Sequence, residues 1–318
     1  MAGILFIVDL TTGSVQLSWR EVCSALAGEG SEATVKIVRH IRLIKAVVAI
    51  LAGAALGVSG LQMQTLFRNP LAGPYVLGIT SGASLGVAMF ILAVPMLHLQ
   101  SALWSSLGMA GAAWMGAALV LGVVAAVGSR IKDIMVVLIL GMMFSSGVGA
   151  IVQILQYLSS EEALKNYVVW TMGSLGDVTA SQLWLLAPAV LVGLALAIAA
   201  IKPLNLLLLG EEYAVSMGLD VKRARMLIFI STTLLAGSVT AFCGPIGFIG
   251  LAVPHVARVL FANADSRVLM PATVLTGVVF MLGCDIVSKL LVLPVNSITA
   301  LLGIPIVVWI VLRLQKRI

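Results

Sequence analysis

Residues 134–158 read IMVVLILGMMFSSGVGAIVQILQYL. Asp133 precedes the stretch, Glu161 follows it, and no Asp, Glu, Lys or Arg lies between them. A helix that crosses a bilayer needs about 20 largely apolar residues, so this run predicts one span. Its Gly, Ala and Ser residues suit helices that pack closely in lipid. The pattern recurs on both sides. Charges are missing between Lys45 and Arg68, between Arg68 and Arg130, and from Asp177 to Lys202. They are missing again from Arg225 to Arg258 and from Lys289 to Arg313. Each gap holds a span, and the gap from Arg68 to Arg130 holds two or three.

Composition agrees. Of 318 residues, 61% are hydrophobic and 10% charged, against about 25% charged in a soluble domain. One soluble core could not hide so much apolar surface. A transmembrane barrel would show alternating ten-residue segments instead. The expected fold is an all-α polytopic membrane protein of about ten transmembrane helices, forming a single transmembrane domain over residues 1–318. The spans are 1–12, 46–66, 76–96, 103–128, 134–158, 182–201, 226–243, 246–262, 268–288 and 296–313. The run in MAGILFIVDL is short for a span and has no basic leader, so it reads as a shortened first helix. Residues 11–45 then form one long external segment.

Lys and Arg set the orientation. Arg68, Arg130, Lys132, Lys202, Lys222, Arg223, Arg225, Arg258, Arg267, Arg313, Lys316 and Arg317 fall on one side. Arg20, Lys36, Arg39, Arg42, Lys45, Lys165 and Lys289 fall on the other. The richer side is predicted to be cytoplasmic, with the C-terminus on it. Because the net charge of +6 is concentrated at span ends, it predicts no nucleic-acid partner. Cys23, Cys243 and Cys284 have no paired spacing and read as structural thiols.

Four segments stand out. Arg68-Asn69-Pro70-Leu71-Ala72-Gly73-Pro74-Tyr75 cannot continue a helix and predicts a tight cytoplasmic turn. The polar stretch LGEEYAVSMGLDVKRAR, residues 209–225, puts acids first and bases last, as a short helix ended by Gly218 would prefer. It reads as a solvated loop or a docking surface. In SVTAFCGPIGFIGLAVPHVAR, residues 238–258, Gly244-Pro245 and Pro254-His255 interrupt an apolar run, as in the broken helices that surround transport paths. His255 reads as a structural hydrogen-bonder, with metal ligand or proton carrier as the sharper reading. Asp285 and Lys289, four apart, share a helix face and read as an ion pair, a proton relay being the alternative. No GxxxxGK[ST] loop or HExxH occurs, so nothing in the chain reads as able to hydrolyse ATP, and an energy source is expected on another chain or in an ion gradient.

From about residue 14 onward the chain resembles the FecCD permeases, membrane subunits of importers for iron–siderophore, haem and vitamin B12. The resemblance rests on RNPLAGPYVLGITSGASLG (68–86), TMGSLGD (171–177), LGEEYAVSMGLDVKRAR (209–225), GPIGFIGLAVPHVAR (244–258) and LPVNSITALLGIP (293–305). It implies a type II, vitamin B12 importer-like fold of ten helices per subunit. It also implies a multi-pass location in the bacterial inner membrane and a second permease subunit, as a homodimer, around a central path. Two ATPase subunits that use ATP and Mg, and a periplasmic substrate-binding protein, complete the set; no cofactor is expected on this chain.

By the same resemblance, residues 209–225 are two short coupling helices whose Glu211, Glu212, Gly218 and Arg225 face the ATPase. Asn69 and Leu71 match a cytoplasmic gate. Arg42, Lys45 and Lys289 match basic residues that meet carboxylates of the binding protein. The chain departs from the family at Leu293, Asn296 and Gly73, and in the Arg-Leu-Ile-Lys of residues 42–45. The implied function is alternating-access import of a ferric siderophore or another large metal chelate. The rival, a secondary transporter driven by an ion gradient, would need an intramembrane carboxylate, for which Asp285 is the candidate.

Overall fold

A computed structural model describes residues 1–13, 15–93, 106–128, 131 and 133–315. Among them the regular structure is entirely helical. Helix α1 is Ala2–Thr11 and α2 is Trp19–Ala27. Helix α3 runs unbroken from Glu32 to Leu66. After a 3₁₀ turn at Pro74–Leu77 come α4, Ile79–Ala93, α5, Ser106–Gly128, and α6, Ile134–Leu158. Helices α7, Glu161–Thr171, α8, Ala180–Ala199, α9, Ile201–Leu208, and α10, Glu211–Ser216, follow. The chain ends with α11, Val221–Cys243, α12, Ile249–Phe261, α13, Ser266–Leu291, and α14, Val295–Gln315.

Each expected span coincides with a helix. Five of these helices are long and apolar enough to cross a membrane: α3, α6, α8, α11 and α13. Helix α1 has 10 residues; at 1.5 Å per residue it reaches only about halfway across a hydrocarbon core. Residues 94–96 and 103–105 of two expected spans lie outside the described residues, as do Arg130, Lys132, Lys316 and Arg317 of the orientation argument.

Side-chain caps set many of the starts. Ser18 and Glu21 form a reciprocal capping box on α2, and Thr179 and Gln182 do so on α8. Asp133, Ser160, Asp220 and Asp265 cap α6, α7, α11 and α13.

The core is built around α3. A Cβ added at Gly53 would overlap the Gly277 carbonyl of α13, and one at Gly60 would overlap the Gly250 carbonyl of α12. Glycine is needed at both positions because the backbones touch. Gly82 and Gly86 of α4 meet Gly116 and Ala112 of α5 in the same way. Buried Gln62 of α3 joins three helices: its amide donates to Ser231 Oγ at 3.0 Å, and its carbonyl accepts from Thr232 Oγ1 at 3.0 Å. Ser231 Oγ also lies 2.9 Å from the Gly193 carbonyl of α8.

Three expectations are corrected. The helix of the second span does not begin at residue 46; it continues back to Glu32 through a π-helical stretch at Ile37–Arg42. Its charged residues are tolerated because Arg39 and Arg42 donate to backbone carbonyls of the preceding segment. Residues 221–225 are not a separate short helix but the first turn of α11, which Asp220 caps and which runs on through a π-helical stretch at Thr233–Gly237 to Cys243. Pro254 does not break its helix. It lies inside α12, and the real break is the non-helical stretch 244–248, with Gly244 at φ 73° and Phe248 at φ 66°.

Candidate functional site

The bundle has two chemically different ends. At one, Lys45 of α3, the end of α1 and the end of α13 bring four charges together. Lys289 Nζ lies 2.8 Å from Asp9 Oδ1 and 2.9 Å from Asp285 Oδ2. Lys45 Nζ lies 3.0 Å from Asp285 Oδ1. Both carboxylates are fully buried, and Lys45 is 20% exposed. Two acids face two bases, so the cluster is internally neutral, the condition under which buried charges are tolerated.

A cavity of about 440 Å³ opens beside this cluster, lined by Lys45, Asp285, Lys289, Ser174, Ser288 and residues 292–295 among others. The stretches 171–177 and 293–305, singled out as motifs, both contribute to its wall.

Arg42 is near but differently used. It is buried, and its guanidinium donates to the carbonyls of Leu10 and Thr11 at 2.8 and 2.9 Å and to that of Val15. It thereby satisfies carbonyls left open at the end of α1. The structure thus places Arg42, Lys45 and Lys289 at one end. It turns Arg42 inward and puts both lysines on the cavity wall, Lys45 the more exposed of the two.

At the other end, the turn after α3 is organised by Asn69, whose Oδ1 accepts from Leu71 N at 2.9 Å and whose carbonyl accepts from Ala72 N at 3.1 Å. Such an Asx turn is the local chemistry that stops α3 there. Leu71 is 49% exposed. Nearby, Glu211 of α10 pairs with Arg225 of α11, and Gly218 lies between them at φ 80°. Arg225 also approaches the Ile131 carbonyl at 3.5 Å, before the foot of α6. Glu211 and Arg225 therefore bind each other and hold the segment's shape. Glu212 and Gly218 are exposed, together with Leu209, Tyr213, Val215 and Met217.

His255 accounts for itself without a metal: its ring Nε2 is 2.8 Å from the Pro70 carbonyl. Asp285 lies between two lysines, so the sequence-expected ion pair with Lys289 is present and is part of a larger cluster.

Sequence reasoning missed Asp9. The available signal was a lone acid in an apolar helix, which asks for a partner. It also missed Gln64, a polar side chain inside a span, and took Asn296 only as a departure from the family; Asn296 Oδ1 accepts from Gly247 N at 2.9 Å, within the broken stretch before α12.

Helix α6 is the least covered of the long spans, with 17% of its most apolar window buried. Its exposed face carries Ser146, Gly147 and Gln153 among methionines and isoleucines. Polar groups on the exposed face of an otherwise apolar span suit a protein partner or a watered path.

The bundle, with its broken helix and an exposed segment beyond one end, is the architecture expected of a membrane permease, and comparison with known proteins shows the class: the permease subunit of an ABC transporter, whose ATPase is a separate chain. The chain belongs to the FecCD transport family, which matches residues 1–313. It is 34% identical to the hemin transport system permease protein HmuU of Yersinia pestis, over 99% of this chain and 93% of that one. It is 36% identical to the vitamin B12 import system permease protein BtuC of Klebsiella pneumoniae, over 87% of this chain and 83% of that one. A solved structure described as an inward-facing conformation of a metal-chelate type ABC transporter superposes with a TM-score of 0.83 at 28% identity. It covers 96% of this chain and 94% of its own.

Proposed function

We propose that this chain, paired with a second copy, forms the path by which an ATP-driven importer carries a large metal chelate across the bacterial inner membrane. The chelate is a ferric siderophore, haem or cobalamin. The cluster end faces the periplasm and the coupling segment faces the cytoplasm, with the C-terminus inside. Tyr157 and Trp184, 89% and 81% exposed near the cluster end, suit a membrane interface there. Residues 1–318 act as one permease domain.

The observation that carries this reading is the exposed surface of residues 209–218, held in shape by Glu211 and Arg225. It is the docking face for the partner ATPase, with Glu212, Tyr213 and Met217 as contacts. Two ATPases that bind ATP and Mg drive alternating access, and Asn69 and Leu71 stand at the inner gate. A periplasmic binding protein docks at the cluster end. There Lys45, on the cavity wall, is the base best placed to meet a carboxylate, while Arg42 and Lys289 keep the rim in register.

The rival of an ion-gradient transporter using Asp285 is disfavoured, because both Asp285 oxygens already face lysines. The test is uptake into proteoliposomes holding this chain, its ATPase and its binding protein. ATP-dependent uptake of one chelate is expected, and charge reversal at Glu212 should abolish it with normal assembly. Uptake that continues without the ATPase would overturn the reading.

A further inference from the structure

Helix α12 and the inner turn are joined by polar contacts that the functional reading does not use. Pro254 has no N–H, so the Gly250 carbonyl, four residues back, lacks its helical donor. In the structure that carbonyl lies against Gly60 of α3 and 3.4 Å from Gln64 Nε2, which also donates to the Leu251 carbonyl at 3.1 Å. Gln64 Oε1 in turn accepts from Arg258 Nη1 at 2.6 Å. One buried glutamine thus uses both ends of its amide on α12, at positions two turns apart.

One helical turn along the same helix, His255 Nε2 meets the Pro70 carbonyl at 2.8 Å. The apolar side matches. A Cβ on Gly73 would stand 3.3 Å from Leu251 Cδ2, and one on Gly250 would stand 2.7 Å from Pro74 Cδ. Turn and helix are therefore in contact along the first half of α12.

We propose that His255 is a positioning residue: it fastens residues 68–73 to α12 through Pro70, while the Gln64–Arg258 pair fastens the adjoining end of α3 to the same helix, so that the inner turn and α12 move as one body. Pro254 belongs to the same device, since it frees the carbonyl that Gln64 approaches. The inference rests on the importer reading for its consequence but not for its geometry.

Hydrogen–deuterium exchange of the purified chain reads the fastening directly. In His255→Ala the amides of Leu71 and Ala72 should exchange about two- to tenfold faster, the factor that corresponds to one lost hydrogen bond. His255→Gln, whose Nε2 can reach the same carbonyl, should restore protection to within about twofold of the parent. Should His255→Ala fail to assemble, His255→Asn, one bond too short to reach Pro70, takes its place. Parent-like protection in His255→Ala, or equal loss in His255→Gln, would overturn the proposal.

Uptake per ATP hydrolysed gives the functional arm. It is measured with hemin, cyanocobalamin and a ferric chelate in turn, each presented with the binding protein. The ratio should fall in His255→Ala and recover in His255→Gln, and a ratio unchanged in His255→Ala would overturn joint movement. Failure of the parent chain to take up any of the three bears on the importer reading alone, because the exchange result stands without transport.

Discussion

Asp9 and Lys289 form an ion pair at 2.8 Å although they stand near opposite ends of the chain. Lys289 holds Asp285 as well, at 2.9 Å, so one ammonium serves two fully buried carboxylates. Removing it takes from Asp9 the lysine that pairs with it and leaves Asp285 to Lys45. Breaking a buried pair from one side costs about 3–5 kcal/mol. Lys289→Met should therefore lower the thermal unfolding midpoint in detergent sharply, and a Lys289→Met, Asp9→Asn double variant should recover part of the loss. A midpoint unmoved by Lys289→Met would show that the cluster contributes little.

The glycine contacts of α3 predict a contrast. Gly60→Val should prevent assembly, because its side chain would occupy the space of the Gly250 carbonyl. Gly147 of α6 has nothing within 4 Å of an added Cβ. Gly147→Ala should leave the monomer folded and stiffen the helix by up to about 1 kcal/mol. Size-exclusion profiles and melting curves of the two variants check this.

Gln62 tests the buried network. Gln62→Leu removes partners from Ser231 and Thr232, of which Ser231 keeps the Gly193 carbonyl. A stranded buried hydroxyl costs about 1–3 kcal/mol, so a loss in that range is expected for Gln62→Leu. Adding Thr232→Val should relieve some of it, which a double-mutant cycle on unfolding midpoints would detect.

At the start of α13, the N–H of Arg267 and the amide of Asn205 donate to Asp265 and hold its carboxyl below the usual carboxylate range. A depressed folded pKa gives stability that is present above the unfolded value, near 3.8, and is lost as pH falls through the folded value. The first turn of α13 should therefore loosen in acid, below about pH 4. Hydrogen exchange of the Arg267 and Val268 amides against pH checks this, and Asp265→Asn, which keeps a cap without titrating, should flatten the response.

Much of this architecture was legible because lipid imposes a one-dimensional rule. A backbone in hydrocarbon must satisfy its own polar groups, so length and apolarity alone mark the spans. Residues 134–158 were bounded to the residue, since Asp133 caps the helix and Ser159–Ser160 ends it. The turn at 68–75 and the stop at Gly218 were equally local, being set by Pro, Gly and Asn chemistry. The segment 32–45 was misread because its charges looked solvated. Only the return of Leu10, Thr11, Val15 and Leu26 over α3 supplies carbonyls for Arg42 and Arg39.

The site divides along the same line. The sequence by itself determined a polytopic helical bundle, the polar segment at 209–225 and the ion pair four residues apart on α13. Only the tertiary structure decided which of those charges face outward. Lys289 and Arg225 look equally available in a string of letters, yet Asp9 and Glu211 claim them across long separations. Pro254 likewise reads as a break until Gln64 is seen beside the carbonyl it frees. The reason is physical: spans are fixed by solvent, which every residue meets alone, whereas partners are fixed by which helices pack together.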